Sequence, residues 1–224
     1  MDYKILILGD GVLGTELHQQ TGWDVVSYDK DGFDLLDPNR YWRYMIDYDC
    51  VINCTGFTTM HSDRERNMLL NFEAVIDLVD QCNLYDIKYV HISTDIVYAG
   101  SVMYASEDDV PVHAPNWYAY SKLLADGYVQ TICTDYLLIR TAFKPRPFPY
   151  SVAVNKVGNF DYVDVIGDLI VRLIQSGAEG VYNVGTELKS MHQHALETVP
   201  DIELLEDSEM VDVSMNLRKM SEIL

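Results

Sequence analysis

The chain has 224 residues, 48% of them hydrophobic, with 16 basic against 35 acidic side chains and a formal net charge of -19. That length and apolar content suit one α/β domain with a small appendage rather than two large independent domains. The charge repels phosphate backbones and anionic lipid, so it argues against nucleic acid or a membrane as partner and requires any anionic ligand to be held by local geometry. The opening apolar run is too short for a secretory signal, and no window of the sequence reaches membrane-span length, so the expected location is cytoplasmic. Cys50, Cys54, Cys82 and Cys133 form no C-x-x-C pair and read as buried reduced thiols.

A first strand is expected at Lys4–Leu8, followed by Gly9-Asp-Gly11-Val-Leu-Gly14 opening a helix through Gln20, the strand, glycine turn and helix of a dinucleotide-binding fold. The first glycine makes the tight turn, the second lets backbone approach a pyrophosphate, and the third lets helix pack on strand. The diphosphate would rest on the unpaired N–H groups of the helix N-terminus. A second strand, Asp24–Tyr28, ends at Asp29, 20 residues beyond Gly9, where a carboxylate can accept hydrogen bonds from an adenosine ribose and oppose a 2′-phosphate. This favours NAD over NADP, although Lys30 softens the preference and a solvated turn aspartate is the plain alternative. Tyr41, Trp42 and Tyr44 read as packing or surface aromatics.

The third strand, Cys50–Asn53, runs into Cys54-Thr-Gly-Phe-Thr58, small residues that admit a ligand at the sheet's carboxyl edge. Helix Asp63–Cys82 carries Met68, Leu69, Phe72, Val75, Ile76 and Val79 on one face. Asp63 reads as its N-cap, a better assignment than a triad with His61 and Ser62. The fourth strand, Tyr89–Ser93, ends on the hydroxyl of Thr94. In helix Trp117–Cys133, Tyr118 and Lys122 lie four apart on one face, and an ammonium near a phenol would lower the phenol's pKa. A fifth strand is expected at Tyr136–Arg140, and the proline-rich Lys144–Pro149 can be neither helix nor central strand. Beyond it lie a helical run Tyr162–Gln175, a strand-like Gly180–Gly185 and a terminal helix near Asn216–Ile223. His192 and His194, two apart, do not share a helical face and have no carboxylate at a completing spacing, so no metal is expected. Asp201 to Asp212 reads as a solvated acidic stretch. The alternation predicts an α/β fold, a Rossmann-type doubly wound parallel sheet with a small C-terminal portion. Residues 1–143 would form the dinucleotide-binding domain, and 144–224 a small substrate-binding portion interleaved with that core.

Together, the glycine turn, Ile92-Ser-Thr-Asp-Ile-Val-Tyr-Ala-Gly100, Pro115-Asn-Trp-Tyr118-Ala-Tyr-Ser-Lys122-Leu and Leu138-Ile-Arg140-Thr resemble the extended short-chain dehydrogenase/reductases, and among them the dTDP-4-dehydrorhamnose reductase group. Asp34-Leu-Leu-Asp37 and Val213-Ser-Met-Asn-Leu-Arg-Lys219 add to the resemblance. It implies Tyr118 as the acid that protonates a carbonyl oxygen during reduction, Lys122 as the group that tunes that phenol and binds nicotinamide ribose, and Thr94 as a donor to the carbonyl. It further implies that Gly9, Gly11, Val12, Leu13 and Gly14 hold the pyrophosphate, Asp29 the ribose, Asp34 and Leu35 the adenine, and Thr55, Gly56 and Thr58 the remainder of NAD or NADP. The substrate so implied is a nucleotide-linked 4-keto-6-deoxy sugar, and family members commonly form homodimers. The segment from Arg140 to Asp161 is shorter than the group's usual substrate-binding stretch, and Thr94-Asp95-Ile96 departs from the Asp-Glu pattern of dehydratases. An NAD-dependent sugar-nucleotide epimerase and a non-catalytic NAD(P)-binding regulatory protein are the alternatives.

Overall fold

The computed structural model describes residues 3–59, 63–205 and 210–224. In chain order the first half runs β1 (Ile5–Leu8), α1 (Val12–Thr21), β2 (Asp24–Val26), α2 (Tyr28–Asp31), α3 (Pro38–Met45), β3 (Cys50–Asn53), α4 (Arg64–Met68), a π-helical turn (Leu69–Glu73), α5 (Ala74–Tyr85), β4 (Lys88–Thr94) and a 3₁₀ turn (Asp95–Tyr98). The second half runs α6 (Trp117–Ile132), β5 (Tyr136–Thr141), β6 (Phe143–Lys144), β7 (Val152–Ala153), β8 (Lys156–Gly158), β9 (Asp161–Tyr162), α7 (Val163–Gln175), β10 (Gly180–Asn183), β11 (Lys189–Ser190), α8 (Met191–Leu196), β12 (Glu203–Leu204), β13 (Val211–Asp212) and α9 (Arg218–Ile223).

Six of these strands form one parallel sheet in the order β10-β5-β4-β3-β1-β2. The two-residue period of a strand explains how both faces are covered. Ile5 and Ile7 point with Ile52, Val90 and Ile139 into a layer closed by α1 and α7, through Leu17, Ile166 and Ile170. Leu6 and Leu8 point with Val51, Tyr89 and Leu138 toward α3, α5 and α6, through Met45, Leu78, Val79 and Val129. The chain leaves β1 for β2 on one side and returns to β3 on the other, and this reversal opens a crevice at the carboxyl ends of the strands.

The expected parallel α/β architecture is the one observed. Strand two is shorter than its apolar run suggests. It stops at Val26 because the Ser27 hydroxyl caps Lys30 N–H at 3.4 Å and starts a helical turn at Tyr28. Asp63 does cap its helix, accepting from Arg66 N at 2.9 Å, while His61 and Ser62 lie outside the described residues. Within the long helix, the π turn was not evident from the apolar period. The C-terminal residues do not stand apart: β10 hydrogen-bonds β5, and α7 packs on α1. Short strands β8, β11 and β13 form a small sheet over a second apolar cluster of Phe148, Phe160, Tyr162 and Met191.

Candidate active site

One cleft of about 450 Å³ runs along the carboxyl edge of the large sheet, lined by the loops after β1, β3, β4 and β5. At one end is the glycine turn. Gly9 has φ +96°, a left-handed conformation that a Cβ would strain. A Cβ on Gly14 would come within 1.9 Å of Gly9 O, so the close approach of helix to strand excludes any side chain. A Cβ on Gly11, which lines the cleft, would meet nothing within 4 Å. Among the described residues no side chain caps α1, whose first residues Val12 and Leu13 line the cleft. This cradle fits a diphosphate.

After β3, Asn53 Oδ1 accepts from Thr55 N at 3.0 Å and shapes the turn into Gly56. The loop is held from behind by Asn71, buried in the π turn, which accepts from Phe57 N and donates to Phe57 O, both at 2.8 Å, and lies 3.2 Å from Ser121 Oγ. Such a π turn lets one side chain reach two backbone groups of a neighbouring loop. Thr55, Gly56 and Thr58 line the cleft together with Gly11, Val12 and Leu13.

Thr94 ends β4 and is 7% exposed; its Oγ1 accepts from Ile96 N at 3.3 Å. Asn116 caps α6 through Ala119 N at 2.9 Å, which starts the helix at Trp117, one residue before Tyr118, and fixes the presentation of Tyr118 and Lys122. Both line the cleft, as does Thr94. Thus the structure gathers Thr94, Tyr118 and Lys122 with six of the glycine-turn and loop positions around one space.

The expected tuning of the phenol takes a different form. Lys122 Nζ donates to Ile92 O at 2.7 Å and lies 3.3 Å from His91 Nε2. Burial pushes the Tyr118 phenol up to about 12, with the Thr94 hydrogen bond opposing, rather than down. Burial also pulls the Lys122 ammonium down to about 8, with Asp126 opposing. Tyr118 is therefore fully protonated at neutral pH, the state required of a proton donor.

Beneath the cleft lies a buried network that residue spacing did not reveal. His91 joins Lys122 to the Tyr89 hydroxyl, 3.1 Å from His91 Nδ1, and its Nε2 lies 3.8 Å from Asp126. Asp126 accepts from Arg140 Nε at 2.9 Å, and Arg140 donates onward to the Tyr98 hydroxyl at 2.8 Å. Asp126 sits four residues after Lys122, the one part of this network that helical spacing could have flagged.

Three expected cofactor positions lie away from this space. Asp29 is exposed on α2, Asp34 caps Leu36 N at 3.0 Å, and Leu35 is buried in the core; none lines the cleft. Lys30 reaches back to Asp10 at 2.6 Å. At His192-x-His194, spacing missed what the fold brings in: His194, buried, has Asp161 and Glu197 oxygens nearby, all ligand atoms lying within 4.8 Å of one another. The Lys189 ammonium already occupies that cluster, 2.9 Å from Asp161 and 3.8 Å from Glu197, and His192 bonds Ile202 O instead.

Comparison with known proteins bears on this cleft. Residues 3–144 match the model of the RmlD substrate binding domain family. The spore coat polysaccharide biosynthesis protein SpsK of Bacillus subtilis is 27% identical over 206 residues, covering 81% of this chain and 72% of that protein. A dTDP-4-dehydrorhamnose reductase of Mycolicibacterium smegmatis is 29% identical over 157 residues, 65% of this chain but only 47% of the reductase. The crystal structure of a dTDP-4-dehydrorhamnose reductase from Bacillus anthracis in complex with NADP superposes with a TM-score of 0.84 at 19% identity, covering 99% of this chain and 92% of that one, a likeness of fold.

Proposed function

The chain belongs to the RmlD substrate binding domain family, and from that premise we propose that it is an NAD(P)-dependent oxidoreductase that reduces a 4-keto-6-deoxy sugar carried on a nucleotide. The observation that carries this reading is the convergence of Tyr118, Thr94 and Lys122 in the cleft that begins at the glycine turn. Bound there, a reduced nicotinamide dinucleotide supplies the hydride. Gly9, Gly11 and Gly14 with the first turn of α1 would hold its diphosphate, and Thr55, Gly56 and Thr58 its middle portion.

Hydride addition turns a carbonyl oxygen into an alkoxide, and the barrier falls if donors already point at that oxygen. Tyr118 would pass its proton to the oxygen, leaving a phenolate that solvent reprotonates, while Thr94 donates a second hydrogen bond. Lys122, held by Ile92 O and His91, would place a positive charge behind the phenolate as it forms. The side chains give the two carbonyl contacts to different elements, α6 and β4, so the oxygen is fixed from two directions.

The test is to mix purified protein with NADH or NADPH and dTDP-4-keto-6-deoxyglucose, with and without 3,5-epimerisation, and follow loss of reduced-cofactor absorbance. Turnover is expected, and Tyr118→Phe should slow it by about 100-fold or more while leaving cofactor affinity nearly unchanged. Absence of turnover with all such sugars, or full activity in Tyr118→Phe, would overturn the reading.

A further inference from the structure

The charged side chains lining the cleft are Asp95, Lys122, Lys144 and Lys156. Three ammonium groups against one carboxylate is the reverse of the chain as a whole, which carries 16 basic and 35 acidic residues. Positive charge is thus concentrated in this one space, where low-dielectric walls strengthen its field.

The three lysines are not equivalent. Lys122 is engaged by the Ile92 carbonyl and His91 at the back of the cleft. Lys156 is engaged by Asp95, its Nζ lying 3.0 Å from Oδ1 and 2.8 Å from Oδ2. Among the described residues, Lys144 has neither a hydrogen-bond acceptor nor a carboxylate within ion-pairing distance; its Nζ lies 5.3 Å from the ring centre of Tyr150. Burial and the neighbouring Lys156 pull its pKa below the usual lysine value, with Asp95 opposing. A half-buried ammonium beside a second ammonium, with only an aromatic face for company, is stabilised by any oxyanion that enters.

Its place along the sheet says which ligand that oxyanion belongs to. The strand order sets the loops along the cleft as glycine turn after β1, Thr55 after β3, Thr94 after β4 and Lys144 after β5. The diphosphate cradle is therefore at one end, the proton donor in the middle, and Lys144 at the other end.

We propose that Lys144, flanked by Tyr150 and by the Lys156–Asp95 pair, receives an oxyanion of the second substrate: the diphosphate that links a sugar to its nucleoside, or a carboxylate on the sugar. The assignment of that ligand as the second substrate rests on the reductase reading, whereas the oxyanion site itself does not. The anion neutralises an ammonium that, among the described residues, has neither a hydrogen-bond acceptor nor a carboxylate partner, and Tyr150 offers a ring beside it.

Calorimetric titration of the NADPH-loaded protein with dTDP, and separately with glucuronate, tests the site. Binding of at least one is expected, weakened at least tenfold in Lys144→Met and in Lys144→Gln, largely kept in Lys144→Arg, and reduced by added salt. Loss of dTDP binding identifies the diphosphate as the source; loss of glucuronate binding identifies a carboxylate. No binding of either to the wild type, or equal binding to wild type and both neutral variants, overturns the proposal. NADPH affinity and melting temperature close to wild type show that a variant is folded. Turnover separates the two readings: an inert protein that keeps Lys144-dependent anion binding refutes the reductase and leaves the site standing. An active protein whose KM is unchanged in the Lys144 variants refutes the site and leaves the reductase.

Discussion

Replacing Lys122 by Met should make the protein more stable near neutral pH, and the size of the effect follows from the side chain's surroundings. The ammonium is 4% exposed, and burial lowers its pKa from the usual 10.5 to about 8, with Asp126 opposing. At about 1.4 kcal/mol per tenfold change, holding the charged form costs roughly 3 kcal/mol. Met keeps an unbranched stem of similar length, and Asp126 stays paired with Arg140 at 2.9 Å, so no carboxylate is orphaned. The variant forfeits the hydrogen bond to Ile92 O, about 1 kcal/mol. A net stabilisation of about 2 kcal/mol near pH 7 is expected. Between about 8 and 10.5 the folded wild type has released a proton that its unfolded chain still binds, so its stability relative to the variant rises with pH across that window and is flat below it. Near the top of the window the order reverses, with the variant less stable by about 1 kcal/mol. Urea denaturation of both proteins over this range checks the difference, since every other titrating group is common to the pair. A variant less stable than wild type near pH 7, or a difference that does not move with pH, would refute the reasoning.

Gly14→Ala should lower stability by about 1–3 kcal/mol and abolish tight NADPH binding, because its Cβ would lie 1.9 Å from Gly9 O and force α1 off β1; urea midpoints and a fluorescence titration of NADPH check both. Arg140→Leu should destabilise by about 3–5 kcal/mol, since Asp126 would be left buried without its cation. The same urea series measures this, and a loss below about 1 kcal/mol would show that the network is not what holds β5 to α6.

What the sequence made legible was what local chemistry determines. The glycine turn was readable because each of its three glycines answers a separate steric demand, and the sheet was readable because Ile5 to Leu8, all apolar, must be buried on both faces. Tyr118 and Lys122 were readable as a pair because helical spacing puts them on one face, yet their electrostatics were not. The Ile92 carbonyl that claims Lys122 comes from a strand 30 residues away, and no spacing rule describes it. Lys144 and Lys156 escaped notice for the same reason. They share the cleft only because the segment after β5 turns back and Lys156 crosses 61 residues to reach Asp95. Asp29 shows where spacing alone stops. Its distance from Gly9 fitted a ribose contact, but the Ser27 cap bends the chain into a helical turn and leaves its side chain outside the cleft.

The pairing of β10 with β5 bears on how the molecule comes into being. Synthesis proceeds from the N-terminus, and the five strands up to Thr141 emerge before α7, which covers one face of the sheet, and before Gly180–Asn183, which closes its outer edge. Until about forty further residues have been made, β5 is a bare edge and Ile7, Ile52 and Ile139 lack their lid. The nascent chain must therefore wait, apolar and open-edged, for its own last third, and it is during that wait, rather than in the finished fold, that the protein is most in need of a chaperone.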